Sequence, residues 1–214
     1  MSASEGLLTI CFNQQLLSFG GSLAVSAMTI MTSMYQFVLL PIEAVAAGSQ
    51  PIISYNYGAK NYQRCKETIS LAMKATCSYS LVIVLLMELF PQIFVGIFTS
   101  DSELLRLGSW MLRIYILGGC IMGINSTCQQ SYNSLGEGKM SFFFAFYRKI
   151  ILLIPLIFIL PMFFENQVLA VVLAEPISDF ITTITNYIYF HKIFLLKKLS
   201  VNDIKEEYHI VQEV

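Results

Sequence analysis

From Gly6 to Pro41 the chain carries no charged side chain, and this is the first of several apolar runs long enough to cross a membrane. An α-helix rises about 1.5 Å per residue, so roughly 20 mainly apolar residues span the hydrocarbon of a bilayer. Inside lipid every backbone polar group must be satisfied within the protein, which leaves helices for runs of this kind. Only 13% of the 214 residues are charged, about half the fraction usual in soluble domains. With a mean hydropathy of +0.65, the chain lacks the polar surface to stay dissolved. The expected class is all-α, a polytopic membrane helix bundle.

The runs predict about six spans. A short segment covers residues 5–19, and a turn follows at Gly20, Gly21 and Ser22. Further spans are expected at residues 23–48, 69–98, 104–134, 142–163 and 168–194, with Pro41 inside the second and kinks at Pro155 and Pro161 in the fifth. Residues 1–194 then form one transmembrane unit, and residues 195–214 a polar tail. The first segment gives roughly 22 Å of helix, short of the hydrocarbon thickness, so it reads as a truncated helix. No basic leader with a cleavage site precedes it.

Charge sets the orientation. Lys60, Arg64, Lys66, Lys139, Arg148, Lys149, Lys192, Lys197 and Lys198 are all assigned to one side, and positively charged loops stay cytoplasmic. Residues 50–66 and the tail are therefore expected to face the cytoplasm of a cell membrane. The net charge of −1 gives no basic field for nucleic acid. Five scattered cysteines and two isolated histidines, His191 and His209, form no metal motif. No Asp/His pair stands at the rim, which argues against a membrane-embedded enzyme.

The stretch "QPIISYNYGAK" interrupts the apolar pattern. Pro51 cannot donate a backbone hydrogen bond and disfavours helix before it, and Gly58 permits a tight turn. Gln50 and Asn56 can bond freed backbone groups, and Tyr55 and Tyr57 suit the headgroup region. The segment is expected to end the second helix at the cytoplasmic rim, with a gating role as the sharper alternative.

Extended to "GSQPIISYNYGAKNYQR", the segment resembles the multidrug and toxic compound extrusion (MATE) family. Three other stretches match in order: "SFGGSLAVSAMTIMTSMYQFVLLP", "QQSYNSLGEGKMSFFFAFYRKIILLIPLIFILP" and "LAEPISD". The resemblance implies one lobe, the C-terminal one, of a twelve-helix antiporter in which Na+ or H+ drives export of organic cations. It also implies a second lobe, either an N-terminal lobe missing here or a second half-transporter that pairs with this chain. A lipid-linked saccharide exporter of the same superfamily and a non-transporting assembly partner are the alternatives. No cofactor beyond the coupling ion is expected.

Ionisable groups inside a membrane are costly and mark function. Glu175 and Asp179 fit this best: they lie roughly 10–17 Å along the last span, and their i,i+4 spacing puts them on one face. Pro176 also deprives a carbonyl in the preceding turn of its helical donor. Two carboxylates and a carbonyl suit Na+, or the pair can share a proton; capping a broken helix is the structural alternative. The resemblance adds Glu5, in "SEGLL", as a further cation-coupling candidate. Gln14, Tyr35, Gln36, Asn125, Gln129 and Gln130 are candidates for a substrate path, since polar groups in spans should face the bundle interior. Met28, Met31, Met34 and Phe37 extend that surface with soft and aromatic packing. Glu43 and Glu88, near span ends, are expected to be solvated.

Overall fold

A computed structural model describes residues 2–193, with side chains from Gly6 onward; the tail with Lys197, Lys198 and His209, and the side chain of Glu5, lie outside the described residues. Among the described residues, five helices are long and apolar enough to cross a membrane. The first, α1 (Ser2–Gly58), is interrupted at Gly21, whose φ of 66° and ψ of −165° are not helical. In an unbroken helix Leu8 and Leu39 would stand roughly 46 Å apart. Both line one cavity, so α1 folds back at Gly21 into two arms, as "GGS" predicts. This backbone region is open to glycine alone. Gly21→Ala is expected to lower the unfolding midpoint of the purified protein, reflecting a loss of about 1–3 kcal/mol. Gly48→Ala, in open space, should leave the midpoint unchanged in the same thermal melt.

The second arm departs from expectation at its end. It runs through Pro51 to Gly58 and does not stop near Gly48. Packing overrides the proline: Ile53 is fully buried with Cys65, Ile69, Cys128 and Tyr132, and Ser54 Oγ donates to the Ser134 carbonyl. Asn56 Nδ2 donates to the Ile52 carbonyl at 2.8 Å. The turn itself is made two residues beyond Gly58. Asn61 N–H reaches Asn56 O and Lys60 N–H reaches Tyr57 O, a Schellman stop with Lys60 at φ 60° in the position glycine usually takes.

Helix α2 (Tyr62–Leu89) starts on Asn61, whose side chain accepts from Arg64 N–H. Phe90 and Pro91 break it, and α3 (Pro91–Gly96) follows as a separate short piece, where one span to residue 98 was expected. Asp101 caps α4 (Ser102–Tyr115). A 3-10 turn (Ile116–Ile121) joins it to α5 (Met122–Ser134), which ends in a second Schellman stop at Gly136, φ 79°. Then come α6 (Gly138–Phe146), a π-helical turn (Tyr147–Leu153), α7 (Ile154–Ile159) and a 3-10 turn (Leu160–Met162). The changes of helix type sit at the two expected proline kinks. The last helix, α8 (Gln167–Tyr189), is capped by Asn166 and carries Pro176 inside.

On α2 the buried face is Cys65, Ile69, Ala72, Thr76, Ser80, Val84 and Met87, while Leu71, Leu81, Val82 and Leu85 are more than half exposed. Small and polar residues inside with large apolar ones outside is the arrangement that lipid, not water, selects.

Candidate functional site

Helix α8 turns a polar stripe inward: Glu175, Asp179, Thr182, Thr183 and Asn186 are all buried. Two elements face its upper part, the second arm of α1 with Tyr35 and the π-helical turn with Arg148. Arg148 Nη1 lies 2.6 Å from Asp179 Oδ1 and 3.8 Å from Glu175 Oε1. Tyr35 donates its hydroxyl to the other oxygen of Asp179, and its ring packs edge-on against Tyr115. The π-helical turn re-aims backbone that an α-helix would keep to itself, and Ser178 Oγ donates to the Arg148 carbonyl at 3.0 Å. One turn of α8 thus holds Arg148 at both its guanidinium and its main chain.

Arg148 is a correction to the expected topology. Its side chain is 10% exposed and sits inside the bundle, so it is a counter-ion to buried carboxylates and no part of a positive cytoplasmic loop. Lys149 likewise lines the cavity. The carboxylates themselves lie in the interior as predicted, Asp179 fully buried and Glu175 6% exposed.

Tyr35, Arg148 and Glu175 form part of the wall of a cavity of about 520 Å³. Gln36, Asn125 and Gln129 line it too, as do Glu43, Met28, Phe12, Asn13 and Tyr115. Glu43, expected to be solvated, is exposed and lines this space. Asn125 also accepts from Asn186 Nδ2 at 2.7 Å, and Tyr132 donates to Asn186 Oδ1 at 2.9 Å. A second polar junction therefore joins α5 to α8 beneath the charged one.

Other candidates fall elsewhere. Gln14 is exposed and points away from the cavity, because the first arm turns Phe12 and Asn13 inward. Gln130 lies outside it as well, accepting from Asn133 Nδ2 at 3.4 Å. Met31 and Met34 are core, and Phe37 is exposed. Gln50, Pro51, Tyr55, Asn56 and Gly58 do not reach the cavity; Tyr55 is 78% exposed, as a headgroup anchor would be. Glu5 lies on the first arm.

Sequence reasoning missed Arg148, Lys149 and Asn186. For Arg148 the signal was present. It stands within an apolar helical stretch from Gly138 to Met162, where the rule applied to Glu175 and Asp179 holds equally.

A family model described as MatE matches residues 2–159. The multidrug export protein MepA of Staphylococcus aureus is 24% identical over 160 residues, 75% of this chain and 35% of the relative. Among solved structures, the inward-facing conformation of a multidrug resistance MATE family transporter superposes with a TM-score of 0.84 at 17% identity, covering 94% of this chain and 45% of that one. The outward-facing conformation gives 0.84 at 16% identity, covering 94% and 44%. At these identities the structural likeness is one of fold. The chain spans less than half the length of the proteins it matches.

Proposed function

The chain belongs to the MatE family, the multidrug and toxic compound extrusion transporters, and we propose that it forms the ligand-binding lobe of a two-lobe exporter of organic cations driven by Na+ or H+. The observation that carries this reading is the cavity wall. Glu175 supplies negative charge, Tyr35 and Tyr115 supply aromatic rings, and Met28 and Phe12 supply soft apolar surface. A lipophilic cation binds to such a wall through its charge, through cation–π contact and by adaptable packing.

The second lobe completes the transporter across the open side of the cavity, and the two rock against each other to alternate access. The same fold matches inward- and outward-facing relatives equally well, which supports a lobe that moves as one body. The ends of α1 and α5 meet at one pole through Ser54 and Ser134. Lys60, Arg64, Lys66 and Lys139 flank the turns there, so this pole faces the cytoplasm of a cell membrane. Arg148 is committed to Asp179 and adds nothing to a reading in which cationic side chains hold a saccharide diphosphate.

The test is binding of ethidium to the purified full chain in detergent, followed by fluorescence polarisation. Saturable binding is expected, weakened roughly tenfold, about 1.4 kcal/mol, by Glu175→Gln and less by Gln129→Ala. Absence of saturable binding, or binding indifferent to both changes, would refute the reading.

A further inference from the structure

We infer that the ion exchanged in this lobe is a proton carried by Glu175, with the Arg148 guanidinium fixed in the place a metal cation would take between the two carboxylates. This rests on the transport reading above and names its coupling ion.

The titratable and charged groups facing Glu175 are Asp179 on its own helix, Arg148 and Lys149 from the π-helical turn, Tyr35 from the second arm of α1 and Tyr115 from α4. Asp179 is fully engaged, taking the guanidinium at 2.6 Å on one oxygen and the Tyr35 hydroxyl on the other. Glu175 is not. At 3.8 Å from Arg148 Nη1 it feels the charge but is beyond hydrogen-bonding distance, and it alone of the two carboxylates lines the cavity.

A hard cation such as Na+ needs several oxygens in one shell. Recruiting Asp179 to that shell would expel Arg148 and leave its charge buried without a partner. Binding on Glu175 alone would set the metal beside a permanent positive charge. A proton asks for neither. It adds to one carboxylate oxygen of Glu175, giving the neutral acid, and returns to water when the carboxylate is needed for an organic cation.

Infrared difference spectra of the full chain in liposomes test this directly. As pH falls, the carbonyl stretch of a neutral carboxylic acid should grow. Its course should be identical in sodium chloride and choline chloride, and its Glu175 component should vanish in Glu175→Gln. Radioactive sodium should bind the unaltered chain no better than protein-free liposomes do, a measurement that needs no variant to fold. A band that responds to sodium, a difference spectrum unchanged in a folded Glu175→Gln protein, or saturable sodium binding would each overturn the inference. A Glu175 band without ethidium binding would remove the organic-cation reading alone. Sodium binding with ethidium binding intact would remove this one alone.

Discussion

Replacing Arg148 by methionine is expected to remove most of the folded protein recovered in detergent, and adding Asp179→Leu to the same chain is expected to restore it. Arg148 and Asp179 are both buried and share one short contact. Deleting one partner of such a pair leaves a charge with neither water nor counter-ion, at a cost of roughly 3–5 kcal/mol. That is a large part of the 5–15 kcal/mol by which domains are typically stable. Replacing both by apolar groups of similar volume removes the desolvation burden along with the attraction and is often neutral. Tyr35→Phe belongs in the rescued chain, since its phenol otherwise loses its acceptor. Size-exclusion profiles of the single, double and triple variants measure the effect. A single variant that elutes like the parent would mean that the pair does not hold the bundle.

The fold was legible because lipid imposes one dominant rule, and the apolar runs obey it. Glycine at residues 20 and 21 announced the reversal between the two arms, and Pro155 and Pro161 announced the changes of helix type. Element ends were harder. Pro51 and Gly58 read as a terminator, yet the burial of Ile53 against Cys65 and Tyr132 outweighs the local preference of a proline. The stop fell instead on Lys60, a residue with no propensity for φ 60°.

The site was half legible for a related reason. Glu175 and Asp179 stood out as carboxylates on one helical face. Arg148 lies on a different span, and nothing local ties it to α8; its partner is set by how the π-helical turn rotates the chain ahead of Pro155. Gln14 failed in the opposite sense. Its neighbour Asn13 lines the cavity, and a single residue's rotation on the first arm decides between cavity and exterior. Composition can say that polar groups in spans seek the interior, but only packing says which of two adjacent ones succeeds.

The seam between α2 and α5 carries the second large expectation: Gly123→Leu should leave no folded protein, Gly123→Ala should lower the melting midpoint measurably, and Thr76→Val should do the least. A Cβ at Gly123 would stand 2.7 Å from the Thr76 carbonyl carbon and 2.8 Å from Cys77 N. Both neighbours are backbone, so no rotamer change relieves the clash and the helices must part. Overpacking of a filled core costs about 1–3 kcal/mol for small additions, and a leucine adds three more carbons to a gap that has none to give. The hydroxyl of Thr76 lies 3.1 Å from the Gly123 carbonyl and 3.0 Å from the Thr127 hydroxyl, and Ser80 Oγ donates to the Cys120 carbonyl at 2.9 Å. Interhelical hydrogen bonds of this kind contribute only about 0.6 kcal/mol on average in a membrane, because the separated helices find other partners. Close approach of backbone, with its dense dispersion contact, therefore holds the seam, and the hydroxyls set its register. Thermal melts of the three variants in one detergent decide the matter. If Thr76→Val proves more damaging than Gly123→Ala, hydrogen bonding and not packing joins these helices.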